Sequence, residues 1–210
     1  MRRKLSIAIA AAALLWFYMF SPWTAGLTNF WITMAASACI LTGMATAFSG
    51  GWKPKVKKPL LQFAGGIALA FLLWGVFWVG DKASAWMFNF ARPEVDSIYA
   101  MKTGLPVPAI CALLLFVIGP AEEFFWRGYV QRTLSEVLSG GSHPDDKAFI
   151  VTAAIYALVH VWSLNFMLVM AALVAGCVWG FLYRIRPGAL PALIISHAVW
   201  DALVFVILPI

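Results

Sequence analysis

Residues 119–128 read GPAEEFFWRG and place two adjacent glutamates and an arginine inside an otherwise apolar run. The preceding residues 105–118, LPVPAICALLLFVI, carry no charge. On a helix that begins at Leu105 and rises about 1.5 Å per residue, Glu122 lies roughly 25 Å along the axis. A charged side chain at such membrane depth costs on the order of 3 kcal/mol and usually faces a cavity or a partner. The stretch therefore predicts a polar functional site inside a membrane helix.

The composition is that of an integral membrane protein. Of the 210 residues, 63% are hydrophobic and 11% are charged, whereas soluble domains carry about 25% charged residues. The net charge of +6 comes from short basic runs beside apolar segments, so it indicates membrane topology and not a nucleic-acid partner. The three cysteines lie in apolar runs without metal or redox spacing, and no disulfide is expected.

Seven segments approach the length of about 20 apolar residues that a spanning helix needs. They are residues 5–21, 27–48, 60–80, 105–131, 148–162, 164–184 and 189–208, two of them short. The first resembles a secretory signal, but no clear cleavage site follows it, so an uncleaved span is expected. The predicted fold is all-α, a polytopic membrane protein of about seven transmembrane helices that forms one membrane domain over residues 1–210.

The basic residues predict the orientation. They fall at every second connection, at 2–4, 53–58, 127–147 and 184–186. Because cytoplasmic loops retain Lys and Arg, these connections are expected in the cytoplasm, with the N-terminus inside and the C-terminus outside. The predicted location is the cell membrane, as a multi-pass protein of a bacterial inner membrane. The polar, aromatic-rich connection 81–104 on the other side predicts a short helix at the interface.

The two glutamates separate by helical geometry. Glu123 and Arg127 are spaced i,i+4, which places them on one face as an ion pair. Glu122 is rotated by about 100° from Glu123 and has no cationic neighbour in the local sequence. It is the free carboxylate and the candidate general base.

Two other apolar segments carry isolated polar residues. His160 follows Tyr156 by four residues, and Asp201 follows His197 by four, so each pair shares a helix face. A lone core histidine is more often a hydrogen-bonding residue than a catalyst, but Glu122 and His160 both lack local partners unless they meet. A carboxylate and an imidazole that converge on water make a hydrolytic site. In such a site Glu122 accepts a proton from the water, and His160 holds the water in place.

The helix ends predict unequal depths for these residues. Counted from the expected cytoplasmic ends at about 1.5 Å per residue, Glu122 lies roughly 8 Å deep, His197 roughly 13 Å and His160 roughly 20 Å. The fifth helix is therefore expected to tilt strongly or to begin inside the membrane.

In order and placement, the three motifs resemble the CPBP family, the CAAX proteases and bacteriocin-processing enzymes also called the ABI family. These are glutamate-dependent intramembrane endopeptidases. The resemblance covers roughly residues 105–208, the predicted motif-bearing catalytic core, and its specific element is EExxxR followed by Gly at 122–128. It implies an intramembrane catalytic cavity and a membrane-anchored protein or peptide in the lipid bilayer as substrate. No cofactor or metal is expected.

The resemblance also implies a role for each motif residue. Glu122 and His160 activate the catalytic water, and Glu123 and Arg127 support them. Tyr156 stands where the family often has Phe; it keeps the aromatic packing and adds a hydroxyl. The run FFWRGYVQ at 124–131 resembles family members that are proposed to cleave C-terminal sorting tails.

His197 and Asp201 would stabilise the oxyanion. The last position is commonly Asn in the prenyl-protein proteases, whereas an ionised Asp201 only accepts hydrogen bonds and cannot stabilise an oxyanion directly. Either Asp201 is protonated, or it orients His197 as the donor, and orientation is the favoured interpretation.

Three alternatives remain open. Glu122, His160, His197 and Asp201 could ligate zinc, although no HExxH motif is present and the ligands come from three helices. A scaffold or immunity-type protein would keep the polar cluster only to fix helix packing. A proton-relay transporter is less favoured, because no paired repeats with broken helices are evident.

Overall fold

The computed structural model describes residues 1–210, and every regular element in it is helical. The first helices are α1 (Arg2–Phe20), α2 (Phe30–Phe48), α3 (Pro59–Met87) and α4 (Ala91–Ala100). They are followed by α5 (Val107–Leu138), α6 (Pro144–Leu158), α7 (Phe166–Ile185) and α8 (Leu190–Ala202). A 3-10 turn, Val159–Ser163, extends α6, and a π-helical turn, Leu203–Ile207, extends α8. The predicted all-helical membrane fold is confirmed.

Six helices are long and apolar enough to cross a membrane: α1, α2, α3, α5, α7 and α8 with its flanking turns. The fifth predicted span corresponds to α6, which has 15 residues, or about 22 Å. Helix α3 runs to Met87, further than expected, so the aromatic residues of the 81–104 connection lie partly in its last turn. The short helix expected in that connection is α4.

Hydrogen bonds join the helix ends to one another at the two opposite ends of the bundle. At one face, Arg132 donates to Ser49 Oγ (3.3 Å) and Gln62 donates to the Gly188 carbonyl (2.9 Å). At the other, Asn29 donates to the Gly104 carbonyl (3.0 Å). We call these the basic face (residues 1–4, 48–59, 132–147 and 184–191) and the non-basic face (20–30, 81–107, 163–167 and 207–210). The basic face holds most of the lysines and arginines, and the non-basic face holds three: Lys82, Arg92 and Lys102.

The expected mismatch in depth is absent. Helix α5 ends at Leu138 and not near Arg127, so Glu122 lies about 24 Å from its basic end. His160 lies at a similar distance, about 24 Å, from the start of α6. Helix α8 begins deeper, where Leu190 packs against Gly128. His197 therefore lies at the level of the glutamates although it is only two turns from the start of α8.

Helix α8 is held closely by its neighbours because glycines remove the side chains in between. A Cβ at Gly66 of α3 would lie 2.6 Å from the Ala192 carbonyl oxygen. A Cβ at Gly119 of α5 would lie 2.6 Å from Ala198 Cα. Small residues permit such backbone contact in membranes, so these two glycines fix the helix that carries His197.

The neighbouring glycines of α3 give a matched test of this packing. Gly66→Ala must push α3 away from α8, and we expect a loss of about 1–3 kcal/mol in the free energy of unfolding. Gly65→Ala adds the same methyl group to a position with nothing within 4 Å, so it should be neutral or slightly stabilising. Thermal unfolding of both variants in the same detergent measures the difference; equal stabilities would contradict the assigned contact.

Candidate active site

The predicted site residues from three helices meet at one cavity. It has a volume of about 420 Å³, and most of its lining is hydrophobic. Its polar lining includes five of the predicted residues, each at most 9% exposed: Glu122, Tyr156, His160, His197 and Asp201. The two other predicted residues, Glu123 and Arg127, are fully buried and do not line it. The cavity therefore brings together the first glutamate and both histidines.

Glu122 has one oxygen bound and one free of protein donors. Tyr156 donates its hydroxyl hydrogen to Glu122 Oε2 at 3.1 Å. Oε1 accepts no hydrogen bond from the protein, and the residue lines the cavity. The family position occupied here by Tyr therefore contributes a hydrogen bond to the candidate base as well as aromatic packing.

Glu123 forms the predicted ion pair and a second contact that the sequence did not indicate. Arg127 Nη1 donates to Glu123 Oε2 at 3.1 Å, and the two side chains are 1% and 0% exposed. The Nδ1 atom of His197 lies 3.0 Å from the same oxygen. Arg127 Nη2 donates to the Gly176 carbonyl at 3.1 Å. Glu123 thus joins α5 to α8, and Arg127 joins α5 to α7.

The imidazole of His197 lies between two carboxylates. Its Nε2 is 3.6 Å from Asp201 Oδ2, which is longer than a normal hydrogen bond. Trp179 stacks on the ring with centroids 4.0 Å apart and planes at 18°, and its indole donates to Ser196 Oγ at 3.1 Å. The stacking and the contact with Glu123 fix the ring, so Asp201 is the looser of its two acidic neighbours.

Both ring nitrogens of His160 are engaged. Nδ1 lies 2.7 Å from the Tyr156 carbonyl oxygen, and Trp16 Nε1 donates to Nε2 at 3.1 Å. Because the indole is only a donor and the carbonyl only an acceptor, this pattern assigns the proton to Nδ1 and the acceptor role to Nε2. Trp16 belongs to α1, far from the motifs in sequence, and motif reasoning did not find it.

A second layer of the site joins α5 to α7 through small residues. Gln131, one turn after Arg127, donates to the Gly180 carbonyl at 2.9 Å. Gly176 and Gly180 form a GxxxG pattern, which is typical of close helix contacts in membranes. This pattern was visible in the sequence and could have placed α7 against the arginine. The contributing part of α5, Phe124–Gln131, is π-helical, a form that often marks functional sites.

Residues 103–203 match the family model described as Rce1-like, type II CAAX prenyl endopeptidase. Residues 103–203 are therefore similar to that family. The match confirms the resemblance to the CPBP group and includes all three motifs. No curated protein and no solved structure matches the chain. The family is a protease family, which supports protease activity for the cavity.

The possible zinc ligands do not gather into a metal-binding group. No three or more His, Cys, Asp or Glu side chains are placed to hold one ion together. Both nitrogens of His160 also already have protein partners.

The buried network predicts a strong dependence on both of its charges. Arg127→Met leaves Glu123 buried without its cation, and we expect a loss of about 3–5 kcal/mol in stability. The double variant Glu123→Gln/Arg127→Met removes both charges and should be more stable than the single variant. Unfolding in mild detergent compares the wild type, both single variants and the double variant. A double variant that loses the sum of the single effects would show that the two side chains are not coupled.

Proposed function

We propose that this protein is an intramembrane endopeptidase that hydrolyses a peptide bond of a membrane-associated protein with water activated by Glu122. The observation that carries the proposal is the Glu122 carboxylate itself. It is buried at an apolar cavity, Tyr156 binds one oxygen, and the other oxygen has no protein donor. The similarity of residues 103–203 to a protease family supports this assignment.

In the proposed reaction, Glu122 Oε1 accepts a proton from water as the water oxygen attacks the carbonyl carbon of the substrate. The resulting tetrahedral intermediate carries the negative charge on the former carbonyl oxygen. Glu122 then returns the proton to the amide nitrogen, the C–N bond breaks, and a carboxylic acid and an amine leave. Tyr156 holds Oε2 in place throughout, so that Oε1 remains the oxygen that exchanges the proton.

His197 is the proposed donor to the oxyanion. When both ring nitrogens carry protons, Nδ1–H is directed to Glu123 at 3.0 Å. Nε2–H is left without a close acceptor, because Asp201 Oδ2 lies at 3.6 Å. That proton can therefore be donated to a substrate oxygen in the cavity. In this role Glu123 and Trp179 orient His197, and Asp201 does not touch the oxyanion.

His160 has a more limited role than the motif alone implies. Its Nε2 is the nitrogen with an available lone pair, and Trp16 occupies it. A water held by His160 has to replace the Trp16 N–H as donor to that nitrogen. We therefore assign His160 to positioning the water, while Glu122 supplies the base.

The substrate class follows from the surroundings of the site. The cavity wall is mainly hydrophobic, and six helices are suited to the bilayer, so a substrate with a membrane segment can arrive by lateral diffusion. A C-terminal sorting tail is the narrower candidate, based on the resemblance at residues 124–131. We place the protein in the cell membrane of a bacterium, with its N-terminus in the cytoplasm and its catalytic core in residues 105–208 of a single membrane domain.

The central prediction concerns Glu122. Glu122→Gln keeps the size and the acceptor for Tyr156 but removes the base, and we expect kcat/KM to fall by about 100-fold or more. Glu136→Gln is the matched control, because Glu136 is an exposed carboxylate that pairs with Arg132 at the basic face. Cleavage of candidate membrane-tethered proteins by the reconstituted variants, with product masses, provides the measurement. Normal cleavage by Glu122→Gln would exclude this mechanism, and no cleavage by the wild-type protein of any candidate would favour a scaffold.

Asp201→Asn separates the glutamate mechanism from zinc catalysis. Glu123 and Trp179 still hold His197 in this variant, so most of the activity should remain, and chelators should not inhibit the wild-type enzyme. A zinc ligand at this position would instead make the variant lose both bound metal and activity. Metal analysis of the purified proteins beside the cleavage assay distinguishes these outcomes.

A further inference from the structure

We propose that the substrate segment reaches Glu122 from the non-basic face, through an opening between α3 and α7, and that the cleaved segment is apolar and free of carboxylates near the scissile bond. The assignment to substrate rests on the proposed function. The position and the charge of the opening do not, because they follow from the cavity alone.

The cavity is built from one half of the bundle. Each long helix contributes only the part near the non-basic face: Phe30 to Met34 in α2, Val76 to Phe88 in α3 and Phe166 to Ala175 in α7. Helix α5 contributes Leu114, Ile118 and Glu122, which lie in the half of the helix nearer that face. The glutamate is therefore at the inner end of a cavity that extends toward the non-basic face.

A packed layer closes the way to the basic face. Residues 125–131 of α5, directly below Glu122, are all buried. The contacts of Arg127 with Gly176 and of Gln131 with Gly180 join this layer to α7. A second cavity, of about 580 Å³, does open at the basic face, but it shares no lining residue with the first. Access from that side would require the buried layer to separate.

Helix α4 joins α3 to α7 at the non-basic face and lines the end of the cavity. Exposed apolar side chains form the rim of the cavity on α3 and α7. Val76 of α3 and Phe88, the residue directly after α3, line the cavity and are 47% and 43% exposed. Phe166 and Val174 of α7 line it from the other side and are 53% and 36% exposed. Deeper in the bundle, Leu73 of α3 packs with Ala175 and Trp179 of α7 in one buried cluster. This cluster closes the space between the two helices. A membrane segment can thus enter sideways through an apolar rim.

The charge of the cavity selects its occupant. Three carboxylates line it, at Asp81, Glu122 and Asp201, and no lysine or arginine does. Asp81 is paired with Lys82 and Arg92, but an added carboxylate near Glu122 would meet Glu122 and Asp201 at low dielectric. The imidazole of His197 already lies between Glu123 and Asp201, so it is not free to pair with a further carboxylate. An uncharged or cationic apolar segment fits this lining, whereas a segment that ends in a free carboxylate at the site does not.

The location of the basic residues indicates on which side of the membrane each face lies. Because the basic face is retained in the cytoplasm under the positive-inside rule, the cavity opens in the extracytoplasmic half of the bilayer. The proposed substrates are therefore membrane proteins whose cleaved bond lies in that half.

Thiol labelling tests the opening without any need for substrate. In a background with Cys39, Cys111 and Cys177 replaced by Ala, Ala171→Cys places a thiol on the cavity wall of α7. Leu173→Cys is its control on the same helix, at a position that does not line the cavity. A small membrane-impermeant methanethiosulfonate should modify Ala171→Cys in intact cells and leave Leu173→Cys unmodified. Ser142→Cys, exposed at the basic face, should react only in inverted vesicles.

The charge of the reagent tests the selectivity. Relative to the exposed thiol of Ser142→Cys, Ala171→Cys should react roughly tenfold or more faster with a trimethylammonium reagent than with a sulfonate reagent of the same size. Ser84→Cys, which also lines the cavity, repeats the measurement if Ala171→Cys does not fold. Modification of the cavity thiols only in inverted vesicles would overturn the proposed side, and equal or faster reaction with the sulfonate would overturn the proposed charge.

The two proposals fail in different experiments. If the cavity thiols react as expected and Glu122→Gln still cleaves, the opening stands and the catalytic mechanism is wrong. If Glu122→Gln is inactive and the thiols react only from the basic side, the mechanism stands and the access route is wrong.

Discussion

The structure depends on the burial of one charged pair, Arg127 and Glu123, in a membrane interior. Neither charge is tolerated there alone, since removing one partner of a buried pair costs about 3–5 kcal/mol. The ion pair leaves both side chains with further hydrogen-bonding capacity. Arg127 also donates to the Gly176 carbonyl, and Glu123 also contacts His197. These contacts require α7 and α8 to pack at fixed heights against α5. The ion pair thereby sets the relative positions of the three helices that hold the site.

The same constraint explains why two adjacent glutamates differ in chemistry. Glu123 points into the network and shares one oxygen between Arg127 and His197. Glu122, about 100° further around the helix, points into the cavity, where Tyr156 is its only protein donor. A base has to be short of strong donors, or its lone pairs are unavailable to water. Because Arg127 is bound to Glu123, it does not pair with Glu122.

The sequence predicted what local spacing and hydropathy determine. The helices appeared as apolar runs, and the Glu123–Arg127 pair followed from i,i+4 spacing and is present at 3.1 Å. The predicted depth of the site was wrong because Arg127 was counted as the cytoplasmic end of its helix. Arg127 is instead buried within α5, where it pairs with Glu123. Trp16 and Trp179 were missed because their contacts with the histidines cross between helices, and no spacing within one helix reports such contacts. The GxxxG pattern in α7 was the one interhelical signal that could have been used.

The volume of the cavity limits how a membrane segment can be cleaved. One turn of helix, with a diameter of about 10 Å and a pitch of 5.4 Å, fills roughly the 420 Å³ that the cavity offers. Inside a helix, however, the carbonyl of each peptide bond is already hydrogen-bonded to the backbone. In the proposed reaction, the bond that reaches Glu122 therefore comes from a segment that has unwound. The apolar rim provides no partners for freed backbone groups, and such groups are costly in lipid, so the segments that suit this site are those that already break their helix at the membrane surface. On this reasoning, helix-breaking residues next to the bond matter as much for selection as the side chains that fill the cavity.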